Sequence, residues 1–237
     1  RLYVMSKYPK ILLENDFDRI VLVTNSTLFF VLKNKKVAKK YKGKTIYYLH
    51  NEVRSLFKCE KEAASIRSLI GISEFVNNSF RKQVPTLKDE QCFILKNGVD
   101  TVKFTTRNEQ RIKEYKNKFG ITEKDFVVVF AGRLVDEKGA LETIKAIKAC
   151  KDERIKLLIV GAGFYSSDIV DNYTLELQKE VESIKDRIIF TGYIDYKDMP
   201  SIYQLGNLAV LPSMWDEPAG MTMVEAIVSG LPLITTN

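Results

Sequence analysis

Two glutamates eight positions apart, Glu217 and Glu225, stand on either side of a glycine turn and the predicted start of a helix. Carboxylates at such positions accept hydrogen bonds from polyol hydroxyls. The first N–H groups of a helix have no partner within it and lie at its positive dipole end, so they favour an anion. A ligand with hydroxyls beside phosphate, such as a nucleotide sugar, fits this segment. On its own, the segment also fits a capped surface helix with two solvated acids.

A glycine loop with two cations is the second candidate site. Gly132 and Arg133 follow a predicted buried strand, and Lys138 and Gly139 stand at the start of the next predicted helix. Ligands of open parallel sheets bind beyond the carboxyl ends of the strands. Two cations in such a loop suit a diphosphate, whose charge they can neutralise as it leaves. Taken alone, the loop also fits an ordinary basic surface loop.

Glycines also mark two later strand ends, Gly161-Ala162-Gly163 and Thr191-Gly192-Tyr193. A single Gly-x-Gly is weak evidence for dinucleotide binding, and the third glycine and the acid expected about 20 residues further on are out of register. The sequence therefore argues against a dehydrogenase. The backbone of the second segment is placed to border a planar base.

The elements that must position these residues alternate between short apolar strands and amphipathic helices. This alternation predicts βαβ units, parallel sheets and an α/β fold. The predicted strands cover residues 18–24, 44–50, 68–73, 92–96, 126–131, 155–160, 187–191, 208–211 and 231–235. The predicted helices cover residues 74–82 with Ser73 as N-cap, 107–118, 138–150 and a long stretch ending near residue 185.

A domain boundary is expected between about Phe104 and Phe126, because a charge-rich helix separates two series of strands there. This division gives a partial first domain over residues 1–104, a linker helix region over residues 105–125 and a partial second domain over residues 126–237.

The composition excludes several kinds of site. The three cysteines, Cys59, Cys92 and Cys150, are widely spaced without a metal-ligand pattern, and we expect reduced thiols in a cytosolic protein. The single histidine, His50, excludes a multi-histidine metal site. No apolar run is long enough to span a bilayer.

A cluster of lysines with no acid among them lies early in the chain, whose net charge is +7. Such a cluster suits anionic lipid headgroups, at about 1 kcal/mol per basic residue, an anionic acceptor, or a solvated helix face. Nucleic acid is not expected as a partner, because no aromatic–basic interleaving or nucleic-acid motif accompanies the cluster. The cluster consists of Lys33, Lys35, Lys36, Lys39, Lys40, Lys42 and Lys44.

Taken in order, these markers closely resemble glycosyltransferase family 4, whose members are retaining enzymes of the GT-B fold. The resemblance covers most of the chain. In the second half it rests on residues 130–139, 161–163, 190–193, 211–213, 217–226 and 230–232. In the first half it rests on residues 49–51, 72–75 and 97–100. The implied architecture is two Rossmann-like domains whose parallel sheets face each other across a cleft.

The resemblance implies a role for each candidate residue. Arg133 and Lys138 match the pair that holds the donor diphosphate and stabilises the leaving nucleotide, and Glu225 matches the acid that binds the ribose hydroxyls. Glu217 matches the acid near the donor sugar. His50 matches a residue that reaches the transferred sugar, with a buried strand-end histidine as the alternative. The other donor-binding positions are Gly132, Gly161, Gly163, Tyr193, Ala219, Gly220, Met221 and Thr222.

The implied activity is retaining, metal-independent sugar transfer from a nucleotide diphosphate sugar, preferably UDP-linked, to a glycan or lipid-linked acceptor. Synthesis of a bacterial cell-envelope polysaccharide or glycolipid is the expected setting, and no metal or other cofactor is expected. The expected location is the cytoplasm, with peripheral attachment to the inner face of the membrane left open. A catalytically idle subunit that stabilises or targets a partner is the alternative. A phosphorylase is less favoured, since no lysine is a candidate for a pyridoxal phosphate Schiff base.

Two departures from the family pattern bear on this expectation. The chain starts downstream of the opening strand and glycine-rich loop of the family. The usual glycine pair and C-terminal helices that follow the strand at residues 231–237 are also missing. We therefore expect an internal piece of a longer enzyme, with its donor residues but without an intact acceptor cleft, and with apolar surface exposed at open sheet edges.

Overall fold

The computed structural model describes residues 2–161 and 172–236. The chain forms two compact units, Arg1–Asn97 and Gly98–Asn237. The division therefore precedes the predicted boundary between Phe104 and Phe126. The reason is that Phe104, Ile112 and Tyr115 are buried in the core of the second unit.

The first unit contains a parallel sheet of four strands in the order β1-β2-β3-β4. These are β1 (Ile20–Val23), β2 (Thr45–Leu49), β3 (Ser68–Gly71) and β4 (Cys92–Ile94). Each lies within its predicted range, because a short, mostly apolar run marks it in the sequence.

Helices and aromatic side chains form the core of the first unit. Ser73 caps the predicted helix, since its hydroxyl accepts the N–H of Val76 at 3.4 Å. Phe29, Tyr47 and Phe80 pack ring to ring at centroid distances of 4.8–6.1 Å. The helices are α1 (Leu2–Glu14), α2 (Lys35–Lys40), α3 (Glu60–Ala64) and α4 (Glu74–Gln83), with 3₁₀ segments at Ser26–Lys33 and Asp89–Gln91.

Apolar surface is exposed at the β1 edge of this sheet, as expected from the sequence. Val21 and Val23 are half exposed there. An apolar groove of about 430 Å³ runs beside them, and its lining includes Tyr8 and Ile11 of α1.

The second unit contains a parallel sheet of five strands in the order β7-β6-β5-β8-β9. The central strand β5 is buried from Val127 to Ala131, as its continuous apolar run predicts. The strands are β5 (Phe126–Ala131), β6 (Ile155–Val160), β7 (Ile188–Gly192), β8 (Leu208–Leu211) and β9 (Leu233–Thr235).

The helices of the second unit are α5 (Thr101–Thr105), α6 (Glu109–Phe119), α7 (Ala140–Ala149), α8 (Asn172–Val181), α9 (Met199–Tyr203) and α10 (Met221–Val228). Two expected helices begin or end differently. Residues Asp136–Lys138 form a 3₁₀ turn ahead of α7, because Gly139 has φ +71° and interrupts the helix. After α8, a 3₁₀ segment covers Glu182–Arg187, where Ile184 has non-helical angles.

The predicted linker helix is α6, and it is anchored in the second unit. Arg111 donates two hydrogen bonds to the Asp198 carboxylate, at 3.0 and 2.7 Å, and the Tyr115 hydroxyl donates a third at 3.0 Å. The hydrogen bonds from Arg111 hold the pKa of Asp198 below its ordinary value. This half-buried acceptor fixes α6 to the start of α9.

Several predictions from composition can be compared with the described residues. The three cysteines are free thiols, as expected. Within residues 2–161 and 172–236, no group of histidine, cysteine or acidic residues is arranged to hold a metal ion. In the same part of the chain, every helix is too short or too polar to cross a membrane.

Candidate active site

The loops after β5 and β8, together with Gly161 after β6, lie against one another at the carboxyl edge of the second sheet. The N–H of Gly132 donates to Val160 O at 3.0 Å. A Cβ added at Gly161 would overlap the carbonyl oxygen of Gly132, and one added at Gly139 would overlap that of Pro212. Only glycine allows these approaches, so Gly161 is brought beside the loop of Gly132 and Gly139, where ligands of such sheets bind.

A charged network joins two of these loops. The Lys138 ammonium donates to Glu217 Oε2, although the residues are 79 positions apart. The same oxygen accepts the Ser213 hydroxyl at 3.0 Å and the indole N–H of Trp215 at 3.1 Å. Both charged side chains are only 21% exposed. The structure thus brings together two residues that the sequence predicted separately.

The environment of Glu217 keeps it ionised at neutral pH. Burial raises the pKa of its carboxyl, but the hydrogen bond and charge of Lys138, together with the Ser213 and Trp215 donors, outweigh burial and lower the pKa overall. A permanent carboxylate at this position accepts hydrogen bonds and does not donate them.

Helix α10 begins beside this network. Its N-cap, Gly220, has φ +53°, and a Cβ there would lie 3.7 Å from Glu217 Cγ and 2.9 Å from the sulfur of Met223. Within the described part of the chain, no acceptor is recorded for the N–H groups of four successive residues. These are Ala219, Gly220, Met221 and Thr222. Unpaired N–H groups at a helix start bind anions, so these predicted donor-binding positions form one anion-facing segment.

Glu225 lies one turn into α10 and is 7% exposed. The hydroxyl of Tyr203 donates to its Oε2 at 3.0 Å. Burial raises the pKa of Glu225, whereas the hydroxyls of Tyr203 and Tyr196 and the charge of Lys103 act in the opposite direction. A carboxylate held among neutral donors is suited to accept further hydroxyl donors such as those of a ribose.

Three of these neighbours were missed by sequence reasoning. Tyr203 lies in α9, Tyr196 precedes it, and Lys103 lies in α5 with its ammonium 4.2 Å from the centroid of the Tyr196 ring. The helices of Lys103 and Tyr203 are five residues long, so no helical periodicity singles these two residues out. Trp215, the single tryptophan of the chain, was missed as well, although its position two residues before Glu217 was a usable signal.

Other predicted site residues are not joined to this network. Arg133 is exposed, with no hydrogen bond or ion pair to a described residue. Tyr193 follows the edge strand β7 and is 77% exposed. Gly163 lies outside the described residues. His50 belongs to the first unit, where it follows β2 and its ring is 4.3 Å from that of Tyr48.

Some side chains of the lysine cluster make intramolecular contacts, and others are exposed. Lys33 donates to Lys58 O at 2.8 Å. Lys40 donates to two backbone carbonyls and pairs with Asp16 at 2.8 Å. Five lysines of the cluster, those within residues 33–40, form the patch predicted to meet a membrane or acceptor, and intramolecular contacts hold two of them. The remaining three, Lys35, Lys36 and Lys39, are exposed on α2.

Comparison with known proteins identifies the family. Residues 111–237, just over half of the chain, match the family described as Glycosyl transferases group 1. The chain belongs to this family. The resemblance inferred from the ordered motifs is therefore confirmed.

Among curated relatives, the chain is 31% identical over 206 residues to the putative glycosyltransferase YtcC of Bacillus subtilis (strain 168). That match covers 82% of this chain and 50% of the relative. The chain spans about half the length of the curated relatives it matches.

Solved structures share the fold. The structure of Anabaena Alr3699/HepE in complex with UDP-glucose matches 98% of this chain and 62% of that chain, with a TM-score of 0.76 and 20% identity. WaaG, a glycosyltransferase involved in lipopolysaccharide biosynthesis, matches 96% of this chain and 62% of that chain, with a TM-score of 0.70 and 18% identity. The α/β fold of the GT-B type, with two parallel-sheet units, is confirmed.

Proposed function

We propose that this chain carries the donor-binding part of a glycosyltransferase that uses a nucleotide diphosphate sugar. The observation that carries the proposal is the network of Lys138 and Glu217 beside the start of α10, with the buried carboxyl of Glu225 one turn further on. Each part of such a donor finds partners here. The cation and the amides at the start of α10 suit the diphosphate, and the two acids suit the hydroxyls of the sugar and the ribose.

Each residue has a distinct task in the proposed reaction. Glu225 accepts the ribose hydroxyls, and Glu217 accepts a hydroxyl of the sugar. Lys138 and Arg133 neutralise the diphosphate, assisted by the amides of residues 219–222. His50 is proposed to reach the transferred sugar.

The proposed transfer breaks the bond between the anomeric carbon and the diphosphate oxygen, and the diphosphate leaves with the electron pair. The acceptor hydroxyl then attacks the oxocarbenium-like carbon from the face the diphosphate has left, so the configuration is retained. The proton of that hydroxyl goes to the departing phosphate. Stabilisation of the leaving group comes from Lys138 and Arg133 and needs no metal ion.

UDP is the proposed nucleotide, and the HepE complex with UDP-glucose supports it at the level of the shared fold. A glycan or lipid-linked acceptor in cell-envelope synthesis is the proposed destination of the sugar. The exposed lysines of α2 support peripheral attachment to an anionic membrane surface in the cytoplasm, at about 1 kcal/mol each. A catalytically idle subunit has no chemical need for the paired Lys138 and Glu217.

Calorimetric titration of the chain with UDP, GDP and ADP tests the donor site. We expect micromolar binding of one nucleotide, weakened at least about tenfold, or about 1.4 kcal/mol, by Lys138→Ala and by Glu225→Ala. Lys113→Ala and Glu153→Ala remove matched charges at exposed positions and serve as controls. A folded chain that binds none of the three nucleotides, or site variants that bind as the controls do, would contradict the proposal.

A further inference from the structure

The indole of Trp215 touches both members of the Lys138–Glu217 ion pair. Its N–H donates to Glu217 Oε2 at 3.1 Å. Its ring faces the ammonium of Lys138, which lies 5.5 Å from the ring centroid. By comparison, the Ser213 hydroxyl contacts only the carboxylate. One side chain therefore holds the cation through its π face and the anion through its only donor.

The loop that carries Trp215 is tethered at the two residues before it. The N–H of Met214 donates to Glu137 O at 2.9 Å, which ties the loop to the turn that carries Lys138. The hydroxyl of Thr236 donates to Ser213 O at 2.7 Å. The backbone that leads into the half-buried Trp215 is thus fixed to the turn of Lys138 and to the segment after β9.

We infer that Trp215 is a positioning residue of the donor site, which holds Lys138 for the diphosphate and Glu217 for the sugar. This inference rests on the proposed function.

The hydrogen bonds of Glu217 distinguish its two carboxylate oxygens. Three donors occupy Oε2, and among the described residues no donor to Oε1 is recorded. Because the indole N–H fixes one oxygen, the other oxygen is presented in a defined orientation to a sugar hydroxyl. Fixed orientation of a binding group lowers the ordering cost of association.

Two substitutions separate the two contacts. Trp215→Phe retains an aromatic face for Lys138 but has no donor for Glu217, and Trp215→Leu removes both. Met214→Ala changes an exposed side chain in the same loop and is the matched control. Thermal unfolding of each variant confirms that it is folded before ligands are titrated.

Calorimetry with UDP and UDP-glucose gives the readout. For Trp215→Phe, we expect UDP affinity to stay within about twofold, whereas the extra affinity that the glucose contributes falls about fivefold or more, or about 1 kcal/mol. For Trp215→Leu, we expect UDP itself to bind about tenfold more weakly, because Lys138 loses its support as well. Equal affinities in both variants and the control would overturn the inference, as would a Trp215→Phe variant that loses UDP and UDP-glucose affinity in equal proportion.

Fluorescence supplies a second readout, because Trp215 is the single tryptophan of the chain. Its emission in the wild type should change on addition of UDP-glucose, with half of the change reached at the calorimetric Kd. Unchanged emission at saturating ligand would refute contact between the indole and the donor network. If the folded wild type binds neither UDP nor UDP-glucose in either measurement, the proposed UDP site fails and the inference fails with it. If the wild type binds and the variants match it, the inference alone fails.

Discussion

Removal of the Tyr203 hydroxyl tests how much its hydrogen bond to the buried Glu225 stabilises the fold. In Tyr203→Phe, the ring still fills its place in the core, but Glu225 Oε2 loses a donor at 3.0 Å. A hydrogen bond to a charged group contributes about 1.5–3 kcal/mol, and one between neutral groups contributes about 0.5–1.5 kcal/mol. The free energy of unfolding should therefore fall by about 2 kcal/mol where Glu225 is ionised and by about 1 kcal/mol where it is protonated.

The pH dependence follows from the direction of the pKa shift. Burial raises the pKa of Glu225 above its ordinary value of 4.5. The native state therefore binds more protons than the unfolded state between these two pKa values. The contribution of Glu225 to stability is fully present below 4.5 and is lost as the pH rises through the raised pKa. The substitution raises that pKa further, by about one unit for each 1.4 kcal/mol of lost interaction with the carboxylate.

Urea unfolding at pH 4 and pH 8, followed by Trp215 emission, measures this difference in the second unit. The difference in free energy of unfolding between wild type and Tyr203→Phe should be about 1 kcal/mol larger at pH 8 than at pH 4. Tyr193→Phe is the control for stability, because its side chain is 77% exposed. If this difference is equal at the two pH values, or larger at pH 4, burial and the Tyr203 hydroxyl do not act on Glu225 as assigned here.

Two further substitutions test the framework of the site. Gly139→Ala should lower the free energy of unfolding by at least about 2 kcal/mol, since its φ is +71° and the added Cβ would overlap Pro212 O. Gly43→Ala, at φ +68° in open space, should cost only about 1 kcal/mol, so equal losses would contradict the close approach. Arg111→Met should lower the free energy of unfolding at pH 7, because both hydrogen bonds from Arg111 to Asp198 are lost. Because Arg111 lowers the pKa of Asp198, that stabilisation is present above the ordinary value of 3.8 and is lost as the pH falls, so a loss that grows on acidification would refute the pairing.

Much of the fold could be predicted because local patterns determine it. Strand β5 is a continuous apolar run, and it is the buried centre of its sheet. Parallel topology then places the ends of β5 and β8 at one edge, so Lys138 and Glu217 could each be assigned to a site without knowledge of the other.

Contacts that depend on helix packing could not be predicted. Tyr203 reaches Glu225 because α9 and α10 both pack against α5, and nothing in its sequence neighbourhood distinguishes it from a core tyrosine. The assignment of α6 to the second unit depends on packing in the same way. The polar helix α6 looked like a linker, but Arg111 and Tyr115 bind Asp198 in the second unit.

Glu217 and Glu225 have opposite pKa shifts, and their environments suit them to different tasks in the proposed donor site. A bare carboxylate beside a diphosphate would repel it, but Glu217 is neutralised by Lys138 and remains ionised as an acceptor. Glu225 is buried, and the donors that contact it among the described residues are neutral hydroxyls, so its charge is costly until further hydroxyls donate to it. Ribose hydroxyls would supply those donors. Binding of the donor should therefore lower the pKa of Glu225, and affinity should rise with pH through the raised pKa of the free protein.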